Sequence, residues 1–117
     1  MREIVVKAER KYSVLVGARW STEKSSIESA HKKVLYIIPE SLRNVINLGQ
    51  LEHTYFTPDA ELQKDVGTLH ALWQHCGEIG LRRDDAIVAI GGGATTDLGG
   101  FVAATWLRGI KWYGFPT

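Results

Sequence analysis

A run of glycines in the last third of the chain has the residue types and spacing of a phosphate-binding turn. Gly91, Gly92 and Gly93 follow an apolar run that ends at Ile90, and they are followed by Ala-Thr-Thr-Asp-Leu-Gly-Gly. Glycines between a strand and a helix let the backbone turn tightly and approach a ligand closely. The free N–H groups at the start of the helix would then face an anion, typically a pyrophosphate. The alternative is a tight strand-to-helix turn that binds nothing.

The glycine run fits neither of the common nucleotide-binding motifs. The pattern G-x-G-x-x-G/A would fall on Gly91, Gly93 and Thr96, and Thr96 breaks it. That motif also expects an acidic residue about 20 residues further on, to hold a ribose, whereas no Asp or Glu follows Asp97. A P-loop is excluded as well, because no Lys-Ser or Lys-Thr follows the glycines. A more specific pattern is therefore needed to assign a function to the glycine run.

The strands that would position this turn are predicted from apolar runs. Residues 34–38 and 86–90 are continuously apolar, which is typical of strands buried on both faces of a parallel sheet. Other strands are predicted at residues 4–7, 12–16, 54–56 and 110–115. The first two of these would form a hairpin around the charged residues 9–11.

Helices are predicted between the strands from apolar residues at spacings of three and four. The clearest has Asp59 and Glu61 in its first turn, continues to Ile79 and is ended by Gly80. A second is residues 94–107, ended by Gly109. Their apolar faces comprise Leu62, Val66, Leu69, Leu72, Trp73, Cys76 and Ile79 in the first, and Leu98, Phe101, Val102 and Thr105 in the second. Shorter helices are predicted at residues 21–31 and 41–48. The alternation predicts an α/β, Rossmann-like fold: a mainly parallel sheet with helices on both faces, opened by an N-terminal β-hairpin.

Composition places the chain in an ordinary globular class. It has 117 residues, which suits one domain, with 44% hydrophobic residues and a formal net charge of +1. We therefore expect no nucleic-acid partner, and no membrane partner, because no apolar run approaches the roughly 20 residues of a span. The single cysteine, Cys76, cannot form an internal disulfide and predicts a cytoplasmic location. It lies on an apolar helix face, which indicates an inert buried thiol.

A longer stretch carries a more specific resemblance. Residues 91–110 resemble the signature of 3-dehydroquinate synthases, in which a glycine triplet is followed by an Asp, a small-residue helix, an Arg-Gly pair and a strand that ends in Pro-Thr. Pro116 and Thr117 match that ending. Upstream, residues 59–64 (Asp-Ala-Glu-Leu-Gln-Lys) resemble the family's Asp-Gly-Glu-x-x-Lys stretch, and residues 12–17 resemble its first hairpin. The Ala-Thr-Thr-Asp form is similar to the actinobacterial branch.

The resemblance implies an NAD site built from separate segments. Glu61 and Lys64 would bond to ribose hydroxyls, and Thr117 would begin a Thr-Thr cofactor contact. Arg108 would bind substrate anions, in the partner subunit of a homodimer. Without the resemblance, the sequence alone would predict that Glu61 and Lys64 form an ordinary surface ion pair. It would likewise predict that Arg108 is a charge that faces a helix C-terminus. The implied cofactor-binding residues are Asp59, Ala60, Glu61, Leu62, Gln63, Lys64, Gly91, Gly92, Gly93, Ala94, Thr95, Thr96, Asp97 and Thr117.

The resemblance also implies an activity and its cofactors. A 3-dehydroquinate synthase is a lyase that converts the sugar phosphate 3-deoxy-D-arabino-heptulosonate 7-phosphate to 3-dehydroquinate and phosphate, in the shikimate pathway to chorismate and aromatic amino acids. It uses NAD and a divalent metal, zinc or cobalt. Residues 1–117 would be its NAD-binding N-terminal domain, and the metal ligands and catalytic lysines would follow in a C-terminal domain. We therefore expect a truncated chain that is inactive alone, with no catalytic residue or metal ligand of its own.

Departures from the family pattern leave alternatives open. Ala60 and Thr96 stand where many members have Gly, and Pro39-Glu40 stands where many have a Thr-Asp pair that would contact the adenosine. A related sugar-phosphate cyclase acting on another substrate, such as sedoheptulose 7-phosphate, is the nearer alternative. A nucleotide-binding module or remnant without catalytic function is the further one.

Overall fold

Strands and helices alternate along the part of the chain that the structure describes. This computed structural model describes residues 2–6, 12–16, 20–44, 51, 53–58 and 66–116. The strands are β1 Arg2–Val6, β2 Tyr12–Val16, β3 Val34–Pro39, β4 His53–Thr57, β5 Ala86–Gly91 and β6 Lys111–Pro116. The helices are α1 Trp20–Ala30, α2 Val66–Glu78 and α3 Gly93–Thr105, with short 3₁₀ turns at Glu40–Leu42 and Trp106–Arg108.

The central sheet is parallel and its strand order contains one reversal. Four strands lie in the order β4-β3-β5-β6, so the chain places β4 on one side of β3 and β5 on the other. In an open parallel sheet, a ligand crevice forms beyond the carboxyl ends of the strands at such a reversal. Strands β1 and β2 form a separate antiparallel hairpin, and β2 lies beside β6.

Helices cover both faces of the sheet, as predicted. Trp20 and Ile27 of α1 pack with Tyr36 and other residues of β3 and β5 on one face. Leu72 of α2 and Val102 of α3 pack against the alternate strand residues on the opposite face. Every residue of β3 and β5 is buried, and burying each Ile, Leu or Val side chain contributes about 1.5–3 kcal/mol. This two-sided burial explains why these strands have continuous apolar sequences.

Three residues predicted to lie on buried helix faces are exposed instead, one of which is Thr105 at the end of α3. Val66 at the start of α2 is 78% exposed, and Phe101 in α3 is 51% exposed. Helix α3 presents small residues to the sheet: Gly99, Val102 and Ala103 are buried. Because the helix approaches through these small residues, the large side chain of Phe101 is directed away from the sheet.

Two helix boundaries also differ from the prediction. Helix α3 ends at Thr105 rather than at residue 107, because Trp106 is extended, with φ of −79° and ψ of 123°. Leu107 and Arg108 then adopt left-handed backbone angles, with φ of 48° and 67°. The helix predicted at residues 41–48 begins as the 3₁₀ turn Glu40–Leu42, and residues 45–50 lie outside the described part. Gly80 ends α2 with a positive φ of 66°, as predicted. None of the helices in the described ranges is long and apolar enough to cross a membrane.

Candidate functional site

The glycine run connects β5 to α3, and its first glycine is needed for packing. Gly91 is the last residue of β5 and is buried. A Cβ at this position would lie 2.9 Å from the Cδ of Pro39 and 2.9 Å from the Cβ of Thr95. The loop after β5 therefore presses against the end of β3. These two strands flank the reversal in strand order, so the loop lies at the predicted crevice.

The other two glycines of the run face open space. A Cβ on either Gly92 or Gly93 would meet nothing within 4 Å, and both residues are exposed. Glycine loses more conformational entropy on folding than alanine does, so glycine at a helix start has a cost. Packing against the described residues does not require these two glycines. Their lack of side chains leaves the backbone bare toward the solvent.

The start of α3 has backbone donors that no side chain caps. The amides of Thr95 and Thr96 both donate to the carbonyl of Gly92, at 3.0 and 3.1 Å. Gly92 is the N-cap residue and makes no side-chain cap bond. In an α-helix the first amides have no intrahelical acceptor, which here applies to Gly93 and Ala94. The helix dipole adds a partial positive charge at this end, so the arrangement suits an anion.

The two threonines of the loop serve the fold. Thr95 and Thr96 are buried, and the hydroxyl of Thr96 donates to the carbonyl of Gly93 at 3.2 Å. Asp97 is exposed one turn into α3. Among the predicted cofactor residues of this loop, the structure therefore exposes Gly92, Gly93 and Asp97 and half-buries Ala94, whereas Gly91 and both threonines face inward.

The other predicted cofactor residues lie outside the described part of the chain. They are Asp59, Ala60, Glu61, Leu62, Gln63, Lys64 and Thr117. The neighbouring described residues show where those segments begin. Thr57, at the end of β4, pairs with Pro39, and Pro116, at the end of β6, pairs with Gly91. Thr57 and Pro116 therefore lie at the same carboxyl edge of the sheet as the glycine loop.

Arg108 is not brought together with the glycine loop of its own chain. It follows α3, which has 13 residues from Gly93 to Thr105. At about 1.5 Å per residue, the helix separates Arg108 from the loop by roughly 20 Å. Arg108 is exposed and lies just before β6, at the amino edge of the sheet. Its predicted role in binding substrate stays a prediction, and within one chain it is remote from the cofactor loop.

A group of three side chains near the loop was not found from the sequence. The guanidinium of Arg43 donates to both carboxylate oxygens of Glu40, from Nε at 2.5 Å and from Nη2 at 3.0 Å. This hydrogen bonding lowers the pKa of the Glu40 carboxyl below its usual value. The Cζ of Arg43 lies 3.8 Å from the ring centroid of Phe56 in β4. The spacing of Glu40 and Arg43 was a usable signal, but nothing in the sequence connects them to Phe56.

Other titratable residues contribute to packing. Cys76 is fully buried in α2, as predicted, and burial raises the pKa of its thiol to about 12. The ring of His31 bonds through Nδ1 to the carbonyl of Asp84 at 2.9 Å, and Nε2 lies 2.8 Å from the hydroxyl of Tyr113. Across the residues that the structure describes, no group of three His, Cys, Asp or Glu side chains could hold a metal ion.

Comparison with known proteins gives one consistent family. A family model described as 3-dehydroquinate synthase N-terminal matches residues 54–117. The 3-dehydroquinate synthases of Paenarthrobacter aurescens and Streptomyces avermitilis are 43% and 41% identical over 91% of this chain. That of Mycobacterium leprae is 35% identical over 97% of the chain. The chain spans 32–34% of the length of these three relatives, about a third.

Solved structures of two other enzymes share the fold. A 2-deoxy-scyllo-inosose synthase complexed with carbaglucose-6-phosphate, NAD⁺ and Co²⁺ matches 99% of this chain and 35% of its own, with a TM-score of 0.70 at 23% identity. A 2-epi-5-epi-valiolone synthase from Streptomyces hygroscopicus, with NAD⁺ and Zn²⁺ bound, covers 97% of this chain and 34% of its own. Its TM-score is 0.67 at 21% identity. At these identities the likeness concerns the fold.

Proposed function

Because the chain belongs to the 3-dehydroquinate synthase N-terminal family, we propose that it is the NAD-binding part of a 3-dehydroquinate synthase. The complete enzyme would convert 3-deoxy-D-arabino-heptulosonate 7-phosphate to 3-dehydroquinate and phosphate. One observation of the structure carries the NAD-binding role. Gly92 and Gly93 face open space at the start of α3, where packing gives no reason for glycine. A ligand that approaches the backbone closely gives such a reason.

The residues present fit the pyrophosphate of a dinucleotide. The amides of Gly93 and Ala94 would donate to its oxygens, and the dipole of α3 would favour its negative charge. Asp97, exposed one turn further along the same helix, would accept a hydrogen bond from a ribose hydroxyl. The buried threonines hold the loop: Thr95 packs under Gly91, and Thr96 bonds to the carbonyl of Gly93.

The dinucleotide would extend from the glycine loop along the carboxyl edge of the sheet. Residues 59–64, which follow β4 in the sequence, would hold the adenosine ribose, with Glu61 and Lys64 bonding to its hydroxyls. Thr117, which follows β6 in the sequence, would contact the other end of the cofactor. NAD⁺, when bound, would accept a hydride from the carbon that carries a substrate hydroxyl. We assign no residue of the chain to the divalent metal, whose ligands we place in the two-thirds of the relatives' length that this chain does not span.

Arg108 would act on the site of a second copy. It lies at the far end of α3 from the glycine loop, roughly 20 Å away by helix length, and it is exposed. A guanidinium binds carboxylate and phosphate through a planar fork of donors. Both groups occur on the proposed sugar-phosphate substrate. In a homodimer, Arg108 of one subunit would therefore complete the substrate site of the other.

The test of NAD binding is the substitution Gly93→Val. A branched side chain at Gly93 would block the backbone from the pyrophosphate, so we expect at least a tenfold weaker affinity for NAD by calorimetry, which is about 1.4 kcal/mol. The fold should persist, because a Cβ at Gly93 meets nothing within 4 Å. Ala104→Val is the matched control, since Ala104 is exposed on the same helix near its other end. An unchanged affinity in Gly93→Val would refute the role of the loop.

A further inference from the structure

The side chain of Arg43 contacts those of Glu40 and Phe56 at the carboxyl edge of the sheet, the edge that also carries the glycine loop. Building on the NAD-binding function proposed above, we infer that the guanidinium of Arg43 is a stacking platform for the adenine ring of the dinucleotide. Phe56 would support this platform from below, and Glu40 would hold it in plane. Neither Arg43 nor Phe56 is named by the glycine motif or by the family resemblance, whereas Glu40 stands at a position where many family members would contact the adenosine.

The guanidinium of Arg43 is restrained in two directions. Its Cζ lies 3.8 Å from the centroid of the Phe56 ring, which is contact distance for stacking. In its own plane, it is held by the two hydrogen bonds to Glu40, at 2.5 and 3.0 Å. The side chain of Arg43 is nevertheless 48% exposed. One face of the guanidinium is therefore covered by Phe56, and its opposite face is available to a ligand.

The position of the platform matches the adenosine end of a dinucleotide. Phe56 lies near the carboxyl end of β4, and Glu40 directly follows β3. Pro39, the residue before Glu40, is the one that the glycine loop abuts at Gly91. Strand β4 is two strand spacings from β5, about 10 Å, a distance that a ribose and a base can bridge. Residues 59–64, proposed to hold the adenosine ribose, follow the same strand in the sequence.

The local charges favour a base over a phosphate at this position. The carboxylate of Glu40 occupies Nε–H and one Nη2–H of Arg43, so the pair carries little net charge. An additional phosphate would meet the repulsion of Glu40. What the pair still offers is the flat face of a delocalised cation. Aromatic ring systems stack on such a face through cation–π and dispersion contacts.

The experiment compares two ligands in the unsubstituted chain and in three variants. Calorimetry would measure the affinity for NAD and for nicotinamide mononucleotide, which lacks the adenosine. In Arg43→Ala we expect the NAD affinity to fall about 3- to 30-fold, the range for a cation–π contact, and the mononucleotide affinity to stay unchanged. Arg43→Lys keeps the charge but lacks the planar face, so it should show a similar NAD loss. Lys24→Ala is the control, because it breaks the exposed Lys24–Glu28 pair of α1.

The outcomes separate the platform from the cofactor site itself. Full NAD affinity in Arg43→Lys would mean that charge, not stacking, matters, and would overturn the platform. Equal losses of NAD and of the mononucleotide in Arg43→Ala would overturn it as well. Unchanged NAD affinity in Arg43→Ala, beside a loss in Gly93→Val, would refute the platform alone. If the unsubstituted chain binds no NAD, the proposed function fails and the platform fails with it.

Discussion

A Cβ built on Gly99 would lie 2.6 Å from the Cβ of Ala89, so helix α3 rests directly on strand β5 at this point. Trp112 of β6 closes the position from the side, with its Nε1 3.2 Å from the same point. Side-chain Cβ atoms do not approach this closely, so glycine is required here. The contact sets the height of α3 above the sheet and with it the position of the glycine loop at its start.

Gly99→Ala should therefore destabilise the chain. The added methyl group would push against Ala89, which has no flexible part that could yield, and overpacking of this kind costs about 1–3 kcal/mol. This exceeds the gain of about 0.5–1 kcal/mol from replacing a helical glycine by alanine. Gly93→Ala is the control, because its Cβ would be in open space. Urea denaturation would measure the free energy of unfolding of both variants. Equal values would contradict a tight contact between α3 and β5.

Asp85→Ala should also reduce stability, through two lost hydrogen bonds. Asp85 is 2% exposed. Its carboxylate accepts from the amide of Arg82 at 2.7 Å and from the amide of Lys33 at 3.1 Å. Removing the acceptor leaves both amides unpaired, at about 1–3 kcal/mol for each one that stays buried. Asp84→Ala is the control, since Asp84 is exposed and its carbonyl bond with His31 does not need its side chain. In thermal denaturation, Asp85→Ala should have a clearly lower melting temperature than Asp84→Ala.

Cys76 should make the folded chain less stable in alkaline solution. Burial raises the pKa of its thiol from 9.0 to about 12. Above pH 9 the unfolded chain loses this proton while the folded chain keeps it, so the free energy of unfolding falls as the pH rises. Between pH 9 and 11 the loss approaches about 1.4 kcal/mol per pH unit. Cys76→Ala should be less stable at pH 7 but show a shallower decline. The same decline in both chains would disprove the contribution of the thiol.

Reactivity gives an independent measurement on the same thiol. The thiolate is the reactive form, so at pH 8 a disulfide reagent such as Ellman's should modify Cys76 only as fast as the chain unfolds. In denaturant the modification should be immediate. Rapid labelling of the folded chain would show that Cys76 is accessible, contrary to its complete burial.

Much of the sheet could be predicted because its signal is local. Residues 34–38 and 86–90 are continuously apolar, and the structure buries them on both faces. The glycine loop was predicted for the same reason, since strand, glycines and helix are contiguous. The contact of Arg43 with Phe56 could not be predicted, because the pairing of β3 with β4 brings together residues that are 13 positions apart. Which face of a helix is buried was only partly predictable: α3 uses its small residues, so Phe101 is exposed.

The end of α3 was the least predictable part, and it bears on Arg108. Gly109 was predicted to stop the helix, but the chain leaves the helical conformation earlier, at the extended residue Trp106. Leu107 and Arg108 follow with φ values of 48° and 67°. Residues other than glycine adopt such angles at a cost of about 1–3 kcal/mol each. The packing of Ile110, whose amide donates to the carbonyl of Ala103 at 2.8 Å, holds this tight turn in place. Arg108 is thus kept at a position where glycine would be more stable.

Arg108→Gly and Arg108→Ala should differ in stability and agree in activity. Glycine adopts the left-handed conformation without strain, whereas alanine does not. The free energy of unfolding of the glycine variant should therefore be about 1 kcal/mol higher than that of the alanine variant. If Arg108 binds the substrate, both variants lose a charge-assisted contact. In an enzyme of the relatives' length that carries this segment, kcat/KM should then fall roughly 10- to 100-fold in both, with NAD affinity unchanged. Normal turnover in both would show that Arg108 does not contact the substrate.

Mixed dimers would test whether Arg108 acts across subunits. Subunits with Arg108→Ala and subunits with Gly93→Val are each expected to be defective alone. After unfolding and refolding together, half of the dimers contain one of each. If Arg108 reaches the partner's site, the subunit with the intact glycine loop receives the intact arginine of the other, and about a quarter of the parental activity returns. If Arg108 acts within its own chain, every site keeps one defect and no activity returns. The roughly 20 Å between Arg108 and its own glycine loop leads us to expect the recovery.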